Sequence, residues 1–560
     1  MEFKQELVKI IVKETGLPEE EVGNLVAVPP DPKLGDYAFS CFKLGKNPKA
    51  EAEKLKQKIK LPSFISKAEV VGPYLNFVLS VPFVAKEIIS PIRTKKEKFG
   101  AGQDRDSIVV EYCGPNTNKP LHLGHIRNMA LGNAVCRLLS FQGNKVHPVN
   151  IVNDRGIHIC QSMIAYQKWG KGKKPEKKGD HFVGDFYVLF SQKLKDDPNL
   201  KEEAQQMLWQ WEYKNAEVRK LWKKMNSWVL HGFAKTYKRF GISFDKEYFE
   251  SEIYEQGKEV AFEGLQKKVF VKDDSKNILA SLEQYGLPNK VVLRGDGTSV
   301  YITQDLYLAQ QRYLDYKFHN LIYVVASEQR LHFQQLFKIL SLLERPFAED
   351  LYHLSYGMVN LPTGRMKSRE GMVIDADDLM DEMALLAERE VRTRYRDLSE
   401  KEIKQRAEFI GLAAIKFFML KTDATRDMVF NPEESLSFEG ETGPYLQYTH
   451  ARACSILEKA GRIPLKAAFE VLIQPQERAL VLFLSTFSNT VKEAAKQYKP
   501  HLLCRYLLDL AHVFNEFYHS CPVLSEEVKI KSARLTLVDA VRQILANGLN
   551  LLGIKALEKM

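Results

Sequence analysis

Apolar and polar positions follow three different patterns along the chain, and these predict three regions. Residues 1–100 mix one helical pattern with short extended runs at 37–40 and 68–79, which predicts a small α+β unit. A basic stretch and closely spaced glycines at 100–102 predict a linker after it. Residues 105–375 combine strand-like and helical patterns, and residues 376–560 are mostly helical.

The clearest local pattern lies at 107–152. Residues 108–112 form an apolar run that predicts a strand, and a proline-containing loop follows it. From His122 onward, apolar residues recur at spacings of three and four until Gly143, which predicts a helix and its end. Residues 145–152 predict the next strand. This strand, helix and strand predict one βαβ unit, so the fold class is α/β with a parallel sheet.

An insertion is predicted at about 165–290, inside the α/β region. It opens with a lysine-rich stretch and continues as a helical pattern that contains four tryptophans. These tryptophans are more often core residues than platforms for stacked bases. The sheet pattern returns at 291–293 and at 321–325.

Composition says more about the cellular compartment of the protein than about its function. The chain has 560 residues and a net charge of +10, which fits contact with a polyanion but equally fits an ordinary basic enzyme. Its seven cysteines are scattered without a C-x-x-C pair, which argues against a disulfide framework and a zinc site. Since no apolar run is long enough to cross a membrane and no secretory signal is apparent, we expect a cytoplasmic protein with no membrane segment.

The strongest candidate for chemistry is a tetrad at the predicted strand–helix junction: His122, Leu123, Gly124 and His125. Ligands bind at such junctions in open α/β sheets, and the start of a helix offers unpaired N–H groups and a positive dipole end to phosphate. Gly124 lets a flat base or ribose approach the backbone, and the two imidazoles can donate to phosphate oxygens. The alternative is a pair of surface histidines that begin a helix. No P-loop motif is present, so phosphate must be handled in another way.

Several segments together resemble one family, the arginyl-tRNA synthetases, which are class I aminoacyl-tRNA synthetases. The tetrad with Asn116 and Lys119 resembles the HIGH signature of that class. Residues 301–305, 324–332 and 440–448 resemble further segments of the family, and residues 29–40 resemble its N-terminal tRNA-contacting domain. The resemblance implies a Rossmann-type catalytic domain at 105–375, between an N-terminal α+β domain at 1–100 and a helical stem-contact and anticodon-binding domain at 376–560.

A second nucleotide-binding loop is implied at 365–371, where this family carries the KMSKS motif. By resemblance, four of its residues bind ATP: Met366, Lys367, Ser368 and Arg369. Ser368 stands where the motif has its second lysine, and Lys119 matches the place where members that lack this lysine carry another one. A lysine near the departing pyrophosphate stabilises it from either place. The alternative for the loop is a solvated basic turn.

The amino-acid site needs carboxylates, since a buried planar cation is costly without a partner. Asp305 and Glu111 are the acidic candidates, and Tyr301 shares a face with Asp305 if a helix starts there. By resemblance, Asn116 and Gln329 hold the head group of the amino acid. Alternatively, Glu111 is an edge-facing charge and Asp305 a helix N-terminal charge. Three further histidines stay open between pocket and structural roles: His147, His158 and His332.

The resemblance implies activation of L-arginine by ATP and transfer to tRNA(Arg), with amino-acid activation waiting for tRNA. His122, His125 and Lys119 are the predicted catalytic residues, and Leu123 and Gly124 bind ATP. Mg2+ is expected with ATP, held by phosphate and water, so no metal site is predicted. We expect a monomer. The alternatives are a small nucleotidyltransferase of the same superfamily, another class I synthetase, and a tRNA-binding paralogue without catalysis.

Overall fold

The computed structural model describes residues 3–360, 374–395, 398–464, 467–524 and 526–560. At its N-terminus lies a four-stranded antiparallel sheet of order β1-β2-β4-β3 together with four helices, two of which contact its strands. The strands are β1 (Val26–Ala27), β2 (Tyr37–Ser40), β3 (Ile65–Val71) and β4 (Tyr74–Leu79), and the helices are α1 (Phe3–Thr15), α2 (Glu19–Leu25), α3 (Pro48–Lys58) and α4 (Val81–Lys95). The predicted strand at 68–79 is therefore two strands, because Gly72 adopts a left-handed φ of 58° and turns the chain into a hairpin.

A five-stranded parallel sheet of order β12-β11-β5-β6-β7 forms the centre of the chain. Its strands are β5 (Ser107–Glu111), β6 (Lys145–Val152), β7 (Lys246–Phe249), β11 (Asn320–Ala326) and β12 (Leu351–Tyr356). A small antiparallel sheet contains β8 (Phe270–Lys272), β9 (Ile278–Ala280) and β10 (Lys290–Leu293), and β13 (Val359–Asn360) pairs with β14 (Met428–Val429). The predicted βαβ unit at 107–152 is confirmed.

The helices of this central region are α5 (Leu123–Phe141), α6 (Ile157–Trp169), α7 (Gly179–Lys193), α8 (Leu200–Glu212), α9 (Ala216–Phe240), α10 (Glu250–Ile253), α11 (Gly257–Gln266), α12 (Tyr301–Tyr316), α13 (Arg330–Leu342) and α14 (Ala376–Arg394). Asn215 caps the start of α9 with its side chain, and Gly241, at a left-handed φ of 78°, ends it. Among the tryptophans predicted in the insertion, Trp211 and Trp222 are buried, whereas Trp209 is 54% exposed.

Two sequence-based predictions fail inside the predicted insertion. β7 lies within 165–290 yet pairs with β6 as an edge strand of the main sheet. Residues 291–293, predicted to return to that sheet, belong to the small antiparallel one instead. Both errors have one cause: a four-residue strand leaves almost no periodicity, and its pairing partner is chosen by long-range packing.

The sheet changes direction between β5 and β11. The chain runs from β5 to β6 and β7 on one side, whereas β11 continues to β12 on the other. Ligands of open α/β sheets bind in the crevice at the carboxyl ends of the strands at such a switch point. The fold therefore predicts a site beside Glu111 and Ala326.

The C-terminal region is helical, as predicted. Its helices are α15 (Glu400–Leu420), α16 (Pro432–Ser435), α17 (Gly443–Ala460), α18 (Pro475–Ser485), α19 (Phe487–Lys496), α20 (Pro500–Ser520) and α21 (Val528–Leu551). Ser399 and Glu402 form a capping box that starts α15, and α4 packs against α18 and α21. In the parts of the chain that the structure describes, no helix has the length and apolar character needed to cross a membrane.

Candidate active site

A cavity of about 1440 Å³ opens at the switch point of the sheet. Its wall comes from the carboxyl ends of β5, β6, β11 and β12 and from the starts of α5, α12 and α13. Nine residues predicted from the sequence line it: Glu111, Asn116, His122, Leu123, Gly124, His125, Tyr301, Asp305 and Gln329. The topology thus brings together side chains that lie up to 218 positions apart in the sequence (329 minus 111).

The tetrad forms the first turn of α5, and its two imidazoles close that turn. The backbone N–H of Gly124 donates to Nδ1 of His122 at 3.2 Å, and the N–H of His122 donates to Nδ1 of His125 at 3.1 Å. Because each Nδ1 accepts a hydrogen bond, each neutral ring carries its proton on Nε2. The centres of the two rings lie 3.9 Å apart. They therefore present two N–H donors side by side.

The N–H groups at the start of α5, which the sequence predicts to be open to phosphate, are already hydrogen-bonded. The first N–H groups of α5 are not free for phosphate, since Leu123 donates to the carbonyl of Ile374 at 2.9 Å and Gly124 donates to His122. What remains for an anion is the positive end of the helix dipole and the two Nε2–H groups.

Both imidazoles are held in their neutral form. Burial, with the positive charge of Lys119 as a second cause, lowers the pKa of His122 to about 4. The pKa of His125 lies well below its usual range for the same reasons, and His122 contributes to the shift. The donors are thus neutral N–H groups at neutral pH, which stabilise developing negative charge without titrating.

Lys119 is not part of the described cavity wall, but its positive charge acts on both tetrad histidines. Burial lowers its pKa, and the opposing effect comes from Asp375, whose own pKa burial raises to about 6. Residues 374–376 pair with 121–123 through the Leu123–Ile374 bond and a 2.8 Å bond from the N–H of Ala376 to the carbonyl of Leu121. The four predicted residues of the second loop lie outside the described residues: Met366, Lys367, Ser368 and Arg369.

The first two turns of α12 and α13 form another part of the cavity wall. Tyr301 and Asp305 lie on one face of α12, as their spacing predicts once a helix starts at Tyr301. Oδ2 of Asp305 accepts a hydrogen bond from Nε2 of His332 at 2.7 Å. Tyr301 is 75% exposed, so its ring is available to a ligand. Gln329 lies just before α13 and faces the same space.

Glu111 lines the cavity, but its charge is already matched inside the protein. Its carboxylate forms an ion pair with Arg312, whose side chain is 1% exposed and lies over the rings of Tyr248 and Tyr323. A buried guanidinium needs such a partner. Asp305 is therefore the carboxylate better placed to meet a cationic ligand.

Two residues of α5 hold the carboxyl ends of the strands in place around the cavity. The side chain of Asn128 accepts from the N–H of Cys113 at 2.6 Å and donates to the carbonyl of Val324 and the hydroxyl of Tyr356. Arg127 is 1% exposed and donates to four carbonyls, those of Gly357, Met358, Ala424 and Arg426, at 2.7–3.1 Å. These bonds tie the tetrad helix to β5, β11 and β12.

A cluster of possible metal ligands lies near this site but does not suit a metal ion. Asp180, His181 and Asp377 bring ligand atoms within 4.8 Å of one another. However, Nζ of Lys178 donates to Asp180 at 2.7 Å and to Asp377 at 2.6 Å. Since an ammonium group already occupies the space between the carboxylates, we assign this cluster a structural role, holding the start of α14 against α7.

Several cavity residues were missed in the sequence. Asn153, Ala326, Glu328 and Tyr356 line the wall at or just beyond the ends of β6, β11 and β12. Their common signal is position after a parallel strand, and it becomes readable only when the strand order is known. His332, left open by the sequence, lines the cavity, whereas the described wall does not include two other histidines, His147 and His158.

Fold and site define a class I aminoacyl-tRNA synthetase. Residues 88–432 match the family model described as "tRNA synthetases class I (R), catalytic domain". Residues 1–79 match the arginyl tRNA synthetase N-terminal domain, and residues 446–560 match the DALR anticodon binding domain. The chain belongs to the arginine–tRNA ligase family, and enzymes of its class use ATP. The function and fold class predicted from the sequence are thereby confirmed.

Individual relatives match most or all of the chain. The arginine–tRNA ligase of Treponema denticola is 43% identical over 558 residues, covering 96% of this chain and 94% of that protein. The arginine–tRNA ligase of Amoebophilus asiaticus is 46% identical, and the match covers 82% of this chain and 81% of that protein. The solved arginyl-tRNA synthetase of Thermus thermophilus has a TM-score of 0.82 at 30% identity and covers all of both chains. The solved methionyl-tRNA synthetase of Mycobacterium tuberculosis shares the fold, with a TM-score of 0.51 at 11% identity. That match covers 80% of this chain and 90% of the other.

Proposed function

We propose that the cavity binds ATP against the tetrad and L-arginine against α12, and that the chain joins arginine to tRNA(Arg) in two steps. One observation carries this proposal. Two neutral imidazoles, both protonated on Nε2, and the Asp305 carboxylate line the same cavity. An anion and a cation can therefore be held together in it.

In the first step the arginine carboxylate attacks the α-phosphate in line, and the bond to the leaving pyrophosphate breaks. Negative charge builds on the α-phosphate oxygens, where the Nε2–H groups of His122 and His125 donate. Such preorganised donors stabilise developing charge more than they would in water. Gly124 and Leu123 form the floor for the nucleotide. A Cβ at Gly124 would lie 3.1 Å from Cε1 of His122, so glycine at this position leaves that imidazole in place.

Lys119 stabilises the leaving pyrophosphate in this scheme, together with the loop that contains Met366, Lys367, Ser368 and Arg369. Its positive charge acts on both tetrad histidines, which supports a place for this ammonium near the phosphates that they meet. Mg2+ enters as part of the MgATP substrate, held by phosphate and water.

Arginine lies along the part of the wall that α12 and α13 form. Asp305 meets the guanidinium and the exposed ring of Tyr301 packs on it. Glu111, predicted from the sequence to bind arginine, lines the adjacent wall but is paired with Arg312, so it is not the partner of the guanidinium. Asn116 and Gln329 hold the amino and carboxylate groups. In the second step a terminal ribose hydroxyl of tRNA attacks the activated carbonyl and AMP leaves. No side-chain nucleophile takes part, so catalysis consists of positioning and electrostatic stabilisation.

We also propose the wider arrangement. Residues 1–100 contact tRNA, residues 105–375 carry the chemistry, and residues 376–560 contact the stem and anticodon of tRNA(Arg). The protein acts as a monomer in the cytoplasm. The packing of α4 on α18 and α21 supports a fixed relation between the first and last of these regions.

Aminoacylation with a panel of amino acids, with and without tRNA(Arg), tests the proposal. We expect charging with arginine alone and arginine-dependent pyrophosphate exchange only in the presence of tRNA. His122→Gln should lower the activation rate by about a hundredfold. The control His147→Phe, in a histidine outside the described cavity wall, should retain the wild-type rate. Charging of another amino acid, or tRNA binding without adenylate formation, would contradict the proposal.

A further inference from the structure

We propose that His332 is a positioning residue for arginine selectivity: it holds the Asp305 carboxylate in the orientation that receives a guanidinium group. The proposal rests on the proposed function, since it assigns the Asp305 wall to arginine. His332 and Asp305 face the same cavity from α13 and α12. The sequence left this histidine between a pocket role and a structural one.

The direction of the hydrogen bond follows from the chemistry of its partners. Nε2 of His332 lies 2.7 Å from Oδ2 of Asp305. An ionised carboxylate only accepts, so the proton belongs to Nε2 of His332. A bond to a charged acceptor is shorter and stronger than one between neutral groups. It therefore fixes the rotation of the carboxylate about its last side-chain bond.

Packing keeps the donor itself in place. The His332 side chain is 15% exposed, and its ring meets the edge of Phe333 with ring centres 5.5 Å apart. Phe333 is buried and stacks on His353, whose Nε2 lies 3.0 Å from the carbonyl of Val325. The histidine thus stands on a rigid support at the end of β11, and such support is what a precise binding geometry needs.

The second oxygen of Asp305 is left for the ligand. Among the described residues, no donor is hydrogen-bonded to Oδ1, and the Asp305 side chain is 27% exposed toward the cavity. A guanidinium presents a flat fork of N–H groups, and it pairs best with a carboxylate whose plane is fixed in advance. An ammonium group or a neutral urea group gains less from that orientation. Holding Asp305 therefore favours arginine over lysine and citrulline.

The competing interpretation is that His332 only ties α12 to α13. A structural tie would lower stability when removed, and it would affect arginine and ATP alike. A positioning role affects arginine alone. It also depends on a donor at the Nε2 position, so a side chain that places an amide there should restore it.

The experiment compares His332→Gln, His332→Asn and His332→Phe in the full-length chain. Glutamine places its amide N–H near the Nε2 position, whereas asparagine is one methylene too short and phenylalanine has no donor. KM for arginine, measured by aminoacylation with saturating ATP and tRNA, should rise about tenfold for the asparagine and phenylalanine variants. It should stay within about threefold of wild type for glutamine, with KM for ATP unchanged in all three. His147→Phe is the matched control, because His147 forms a His–Asp pair of the same kind, Nδ1 to Asp245 at 3.0 Å, away from the described cavity wall.

The outcomes separate the two proposals. Equal KM values for arginine in the glutamine and asparagine variants, or parallel changes for arginine and ATP, would overturn the role of His332. If the phenylalanine variant does not fold, comparing the glutamine and asparagine variants still tests the positioning role of His332. A wild-type chain that does not charge arginine would overturn the proposed function itself. Discrimination between arginine and citrulline, measured by competition, should fall only in the variants that lack the donor.

Discussion

Replacing Asp305 by asparagine tests the amino-acid site most directly. The change removes one negative charge, keeps the shape, and still lets the side-chain oxygen accept the bond from His332. Two unit charges 4 Å apart interact by about 4 kcal/mol at an effective dielectric constant of about 20. The Asp305 side chain is 27% exposed, so we halve that value to about 2 kcal/mol for solvent screening. This corresponds to a loss of about thirtyfold in kcat/KM for arginine.

The assay is aminoacylation of tRNA(Arg) with arginine varied at saturating ATP, and then with ATP varied at saturating arginine. Asp315→Asn is the control, because Asp315 lies on the same helix but is bonded to Lys246, Tyr248 and Gln311 instead of facing the described cavity wall. We expect the loss in Asp305→Asn to appear for arginine, with less than about a threefold effect on ATP. Equal losses for both substrates, or a change below about threefold for arginine, would refute the assignment of Asp305 to the guanidinium.

Three further predictions concern the tetrad and the buried pair. Lys119→Ala should lower the activation rate at least tenfold with unchanged tRNA affinity, measured by pre-steady-state kinetics and filter binding, and an unchanged rate would remove Lys119 from the chemistry. Arg312→Leu leaves the buried Glu111 carboxylate unpaired, so the free energy of unfolding in urea should fall by about 3–5 kcal/mol, with partial recovery in the double variant with Glu111→Gln. The pKa of His122 is about 4 when folded, below its unfolded value. The stability linked to this shift is present above pH about 6.5 and is lost as pH falls towards 4. Between pH 7 and 4.5, the free energy of unfolding of wild type, measured by urea titration, should therefore fall by about 2 kcal/mol more than that of His122→Gln.

The prediction from sequence was most successful where the pattern is local. The strand at 108–112, the helix after His122 and the strand at 145–152 follow from side-chain periodicity, and the structure confirms them as β5, α5 and β6. Tyr301 and Asp305 share a face because four residues make about one helical turn. The helical C-terminal region was predicted in the same way.

The sequence-based predictions fail where the structure depends on contacts between distant parts of the chain. Residues 246–249 form an edge strand of the main sheet, which a run of four residues does not reveal. The N–H groups at the start of α5 are occupied by Ile374 and His122. Ile374, which accepts from Leu123, lies 251 positions further along the chain. Glu111 is charge-matched by Arg312, a residue 201 positions away.

The sequence by itself determined the local elements, the tetrad at a strand–helix junction, and the family through motifs that keep their order along the chain. Only the tertiary structure decided which side chains share one cavity, because the strand order β12-β11-β5-β6-β7 places the ends of β5 and β11 side by side. It also decided the tautomers and charge states of His122 and His125, since both depend on burial and on backbone donors. Periodicity reports which face of an element is buried. It does not show which distant residues pack against that face.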